Sequence, residues 1–240
     1  MSRYQHASYS TLAIGSLVAL IGLALATPQW AHADRYELSI GSAARFMPSS
    51  SVDSLSEDNL PVFSMTAAVA IDSLKIPFFD RFYIDGSFDV GTMPGTSFQT
   101  LETEASLMHW ALGARLTRDL GKRVAVHGRA SLGLAKVGVT IDDPFMEGPT
   151  LGDSGMTGTG YLGLASDLIF LRAGAQRSAR FTMGLRAEVG YLAMLPKSLE
   201  ARPDSSDHPE GAILIPEMSA SLGDLDMSAW NMRFGLFGRF

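Results

Sequence analysis

The chain has 240 residues, 18% of them charged, a formal net charge of −6 and no cysteine. A thin acidic balance excludes a nucleic-acid-binding surface, and the absence of cysteine excludes disulfides, thiol catalysis and zinc–thiolate centres together. With 24 glycines and a mean hydropathy of +0.13, the chain carries more apolar surface than its own core requires.

The first segment reads as an export signal. Arg3 supplies a positive start, Thr11 to Ala26 an apolar run, and Ala31-His32-Ala33 a small-x-small cleavage site before Asp34. The apolar run is shorter than the ~20 residues of a membrane-spanning helix, and Pro28 follows it at once. Residues 1–33 are therefore expected to be removed, leaving one domain over 34–240. No later run is long and apolar enough for a helix that crosses lipid. A hydrophobic exported chain of this kind satisfies its backbone in a membrane by closing a sheet.

A period of two then recurs along the chain. It predicts strands near Asp34 to Met47, Leu60 to Ala70, Phe82 to Thr92, Glu104 to Thr117, Arg123 to Thr140, Thr157 to Phe170, Arg180 to Met194 and Met227 to Phe240. Each has about the ten residues of a tilted transmembrane strand or more, and the number is even. In the sixth strand Leu162, Leu164, Ser166 and Leu168 keep one face, but Ile169-Phe170-Leu171 breaks the alternation. Ile213 and Ile215 could belong to a further strand. A single added strand would make the number odd, so Leu195 to Asp226 is read as a long final loop.

Connections alternate in length. Asp72 to Arg81, Arg118 to Lys122 and Leu171 to Ala179 are short. Pro48 to Asn59, Met93 to Thr103, Ile141 to Met156 and Leu195 to Asp226 are long and rich in acids. Short links inside and long acidic ones outside are what a membrane barrel with both ends on the inner side requires.

One face of each strand is apolar. Tyr36, Leu38 and Ile40 begin it; Phe63, Met65, Phe88, Trp110, Leu112, Leu132, Leu134, Leu185 and Tyr191 continue it. Tyr36, Phe82, Phe181 and Phe240 fall at the inner ends, where aromatic girdles belong. The last strand is the most regular: Trp230, Met232, Phe234, Leu236 and the terminal Phe240 alternate with Asn231, Arg233 and Arg239. This strand resembles the assembly signature of bacterial outer-membrane β-barrels. The resemblance implies an all-β, eight-stranded, antiparallel up-and-down transmembrane barrel of the small OmpA/OmpX-like class, with the OmpW-like barrels as second choice. It also implies the bacterial outer membrane as location, and outer-membrane lipid and the barrel assembly machinery as partners.

The opposite faces are mostly Gly, Ala and Ser with a set of charges. Glu37, Asp85, Asp89, Arg115, Arg129, Arg186, Glu188, Arg233 and Arg239, with Arg35, Arg45, His109 and His127, are assigned to the interior. Neighbouring strands suggest the pairs Asp85–Arg115, Glu188–Arg233 and Glu37–Arg239. An eight-stranded interior is only wide enough for side chains to fill it, so this network is read as a lock rather than an ion path.

No nucleophile elbow accompanies His109 or His127, and no His–Ser pair ends a late strand, so no catalytic residue is assigned. No cofactor is implied. Asp142, Asp143, Glu147 and Asp153, and Asp204 with Asp207, offer oxygen ligands for a divalent cation, but without EF-hand spacing they read first as solvated loops. The expected function is a non-enzymatic structural or surface-interaction protein with a largely closed lumen and acidic outer loops. The extracellular partner leaves no trace. Two alternatives stand beside it: a narrow channel for small solutes or ions, and a soluble barrel that binds a lipophile.

Overall fold

In the computed structural model ten strands follow one another: β1 (Tyr36–Phe46), β2 (Leu60–Ala70), β3 (Arg81–Ser97), β4 (Leu101–Asp119), β5 (Val124–Asp142), β6 (Leu151–Ala173), β7 (Phe181–Met194), β8 (Lys197–Pro203), β9 (Ala220–Leu225) and β10 (Ala229–Arg239). The structure describes residues 35–47, 60–71, 73–74, 76–97, 101–142, 151–173, 181–203 and 220–240. Residues 1–33, expected to be an export signal, the acids Asp143, Glu147, Asp204 and Asp207, and Ile213 with Ile215 lie outside them.

Eight of these strands close a barrel, β1 to β7 in order and then β10, which pairs back onto β1. All pairings are antiparallel, and within the barrel they join chain neighbours apart from β7 with β10 and the closing pair β10 with β1. At the seam Glu37 faces Arg239 and Phe46 faces Trp230. Below it Tyr36 and Phe240 exchange backbone hydrogen bonds of 2.9 Å in both directions, with their rings stacked at 6.3 Å.

Side-chain parity follows the barrel wall. Across β1 to β5 the register aligns Ile40, Met65, Phe88, Trp110 and Leu134 in one outward row. Leu132 is 76% exposed, Leu112 74%, Leu162 70% and Leu164 69%. Large apolar side chains so fully presented around a closed sheet form a lipid-facing band. Phe88 points outward too, yet is buried because Trp110 lies against it at 5.8 Å. Phe78, in the link before β3, is 82% exposed and adopts a positive φ of 71°. Arg118 donates to its carbonyl at 2.7 Å and holds that bend, placing an aromatic ring at the inner rim.

Three expectations are corrected. The final loop is not loop throughout: β8 and β9 pair with each other beyond the ring of eight, and the end of β8 pairs with the start of β6, Arg202 with Gly152 and Pro203 with Leu151. The barrel's number stays even because neither strand enters the ring. The link Met93 to Thr103 is mostly strand, with Ser97 already facing Leu101, and much of Ile141 to Met156 is strand as well. Beyond the bilayer a ladder needs hydrogen bonds but no apolar outer face, so the period that marks a strand disappears while the strand continues. The walls are consequently unequal: 19 residues in β4 and β5 and 23 in β6, against 11 in β1 and β2. Where Ile169-Phe170-Leu171 breaks the alternation, β6 carries a bulge, and the ladder passes from Ile169 to Leu171.

Candidate functional site

The inward faces fill the barrel in two tiers. The tier nearer Tyr36 and Phe240 is ionic. Glu37 of β1 accepts from Arg239 at 2.6 Å, from Arg115 at 2.6 Å and from Arg186 at 2.7 Å. Asp167 of β6 accepts from Arg186 at 2.7 and 3.0 Å and also from Arg239. Glu37, Arg239, Asp167 and Arg186 therefore form a closed ring of alternating charge. Arg239 and Arg186 stack over Phe237 at 4.6 and 5.0 Å, and Arg115 over Tyr83 at 4.4 Å.

Above this ring Asp85 takes two hydrogen bonds from Arg129, at 2.9 and 2.7 Å, and Glu188 accepts from the Tyr161 hydroxyl at 2.7 Å. Higher again, Asp89 collects Arg45 at 2.8 Å, Arg233 at 2.7 Å, Ser64 at 2.7 Å and His109 Nδ1 at 3.0 Å. The other ring nitrogen of His109 sits 3.0 Å from Thr159 Oγ1. All these charged groups are buried.

The nine charges assigned from sequence all point inward, but their partners differ in part. Glu37 and Arg239 meet directly. Asp85 binds Arg129 rather than Arg115, which crosses the lumen to Glu37. Arg233 lies 3.9 Å from Glu188 and 2.7 Å from Asp89. The reason is reach: an arginine extends across a narrow barrel, so height along the axis does not restrict it to the next strand. Two important residues escaped the sequence reading, Asp167 and Tyr161. Both stand on β6 opposite the face of Leu162, Leu164, Ser166 and Leu168, a parity present in the sequence and unbroken until Ile169.

The second tier, toward the β8–β9 hairpin, is apolar. Leu60, Val62, Met93, Leu107, Val137 and Val139 point inward with Leu192 and Met194, and Leu199, Leu225 and Met227 from the hairpin and its return join them. Each is almost fully buried. The interior thus changes from charges to a hydrocarbon plug along the axis.

Between the wall of β1 and β2 and the arginines lies a cavity of about 30 Å³. It exists because the inward positions of β1 and β2 there are small, Ser39, Gly41, Ser64 and Thr66, opposite Arg115, Arg129, Arg186, Arg233 and Glu188; Ile40, Ser42, Phe234 and Gly235 of the wall complete its lining. Asp89, His109 and Thr159 do not line it. Among the described residues no three metal-binding side chains are gathered. The Asp153 carboxylate instead accepts from the backbone N–H groups of Ser154 and Glu200, at 2.7 and 2.9 Å.

A major outer membrane protein of Thermus thermophilus aligns with this structure at a TM-score of 0.55 and 12% identity, over 85% of this chain and 99% of that one. The chain has the fold of an outer-membrane β-barrel. Lower similarity extends to Neisserial surface protein A (TM-score 0.46, 13% identity, 85% of this chain and 97% of that one). It also extends to Ail, the attachment invasion locus protein of Yersinia pestis, in complex with the heparin analogue sucrose octasulfate (0.44, 13%, 86% and 98%). No protein-family model and no curated protein matches the chain.

Proposed function

We propose that this protein is a non-enzymatic barrel of the bacterial outer membrane, exported by the segment 1–33, which presents a rigid outer rim to surface partners and conducts nothing. The observation that carries this reading is the two-tier filling of the interior. A solute entering from the rim meets a packed apolar cluster, which excludes water and ions. One entering from the other end meets arginines already bound to carboxylates.

The hydrogen-bonded row Asp89–His109–Thr159 has the order of a catalytic relay, yet it lies buried beside the plug, and Asp89 is already shared with two arginines. A nucleophile needs a bound substrate within reach. The residues around it support a structural role.

Purified protein in a planar lipid bilayer should give no unitary conductance while running as a heat-modifiable band on a gel. Stable conductance steps from the heat-modifiable form would replace this reading with that of a narrow channel.

A further inference from the structure

We propose that the cavity beside β1 and β2 is a binding site for one monatomic monovalent anion of halide size, held as a permanent component of the lumen. The first ground is charge. Among the described residues six buried arginines, Arg45, Arg115, Arg129, Arg186, Arg233 and Arg239, share the interior with five buried carboxylates, Glu37, Asp85, Asp89, Asp167 and Glu188. Arginines exceed carboxylates by one, in a medium where an uncompensated charge costs several kcal/mol.

The second ground is that three of the six unpartnered arginine donors among the described residues belong to arginines that line the cavity, the others being on Arg45 and Arg239. Arg115 is 1% exposed, and its Nε and Nη2 have no hydrogen-bond partner among the described residues; nor has Nε of Arg233, 7% exposed. Both arginines line the cavity. The carboxylates nearest in role are occupied, Glu37 by three arginines and Asp89 by two. One carboxylate oxygen, Asp85 Oδ2, lacks a partner among the described residues, but Asp85 is not part of the cavity lining.

Size is the third ground. The cavity, about 30 Å³, exceeds the ~10 to 15 Å³ that a single water requires. A water or a single halide fits there, and a divalent sulfate or phosphate would overcompensate the one spare positive charge. Of these two occupants only the halide supplies the missing negative charge. Four guanidinium groups against one carboxylate, with the hydroxyls of Ser39 and Thr66 as further donors, form a cage of the sign an anion requires.

The test uses the full barrel refolded into phosphocholine vesicles, with chloride exchanged for gluconate at constant ionic strength. An anion bound to the folded state alone multiplies the folding equilibrium constant by 1 + [chloride]/Kd. The logarithm of that constant should therefore rise with the logarithm of chloride at a slope that approaches one. Crystals grown in bromide should show one anomalous peak in the cavity. Thr66→Leu fills the cavity without touching any charge, and Arg115→Met removes the excess charge; each should flatten the slope. A flat slope in the unaltered protein, with only an ordered water in bromide-grown crystals, would overturn the proposal. So would a slope that Thr66→Leu leaves unchanged.

Discussion

Arg233 offers the sharpest test of how the interior is wired. It faces Glu188 directly across the β7–β10 ladder, yet its hydrogen bond goes to Asp89 of β3, at 2.7 Å, while Glu188 lies 3.9 Å away. Distance alone separates the two little: by Coulomb's law the attraction at the longer separation falls only to about seven-tenths of the shorter. The hydrogen bond makes the difference, because it exists at one distance and not at the other. Glu188 also keeps the Tyr161 hydroxyl as its own donor. Arg233→Gln, Asp89→Asn and Glu188→Gln should each destabilise the barrel by ~3 to 5 kcal/mol, the cost of leaving a buried charge short of its partner. In double-mutant cycles Asp89 and Arg233 should couple by about 2 to 3 kcal/mol, and Glu188 and Arg233 by under about 1 kcal/mol. Urea unfolding from phosphocholine vesicles, followed by tryptophan fluorescence and by gel mobility, gives every corner of both cycles. Equal couplings, or a larger one for Glu188, would show that strand adjacency rather than reach decides the pairing, and would refute the network described above.

Removing Phe240 should block assembly in the membrane without blocking export, because its backbone and ring complete the contact with Tyr36 that ends the seam; fractionation with a heat-modifiability gel reads this directly. Leu132→Arg, at one of the most exposed points of the lipid-facing band, should cost ~2 to 4 kcal/mol in vesicle unfolding, whereas Leu74→Arg, in the link before β3, should cost under about 1 kcal/mol. Gly163→Ala should destabilise by about 1 to 3 kcal/mol, since a Cβ there would collide with the Tyr161 hydroxyl; Tyr161→Leu in the same chain should recover part of the loss in the same assay. Neither Glu188→Gln nor Arg233→Gln should open a conductance in a planar bilayer, because the apolar tier above them remains in place.

The parts of this architecture legible in the sequence are those where lipid imposes a rule. In Trp230 to Phe240 each outward position must be apolar, and parity alone then assigns Arg233 and Arg239 to the interior. β2 shows the same clarity, and the structure gives it the bounds expected, Leu60 to Ala70. Where lipid ends, so does the rule. Met93 to Ser97 and Leu151 to Met156 extend the walls with no apolar alternation, and β8 and β9 stand outside the ring of eight while β8 pairs with β6. Inside, parity identifies which charges face one another but not which of them touch. Arg115 reaching Glu37 and Arg129 reaching Asp85 depend on side-chain length and on the space small residues leave, neither of which a linear pattern records. Asp167 keeps the regular parity of β6, opposite Leu162, Leu164 and Leu168, and the break at Ile169-Phe170-Leu171 beyond it marks a bulge rather than the end of the inward face.

The ion pair across the seam has a consequence for how the barrel finds its one closed form. Every other ladder of the barrel joins strands consecutive in the chain, or, for β7 and β10, strands with only the β8–β9 segment between them; β1 and β10 come from opposite ends of the described chain and must choose an alignment. A displacement of one residue along β10 would send Arg233 into hydrocarbon and Phe234 into the ionic tier, at a cost of ~2 to 4 kcal/mol for the arginine near the bilayer centre. A displacement of two would preserve the faces, but it would draw Arg239 away from Glu37 and break the ring that also holds Asp167 and Arg186. The apolar exterior rejects odd errors and the charged interior rejects even ones. Closure is thereby proofread twice, once by the solvent outside the wall and once by the chemistry within it.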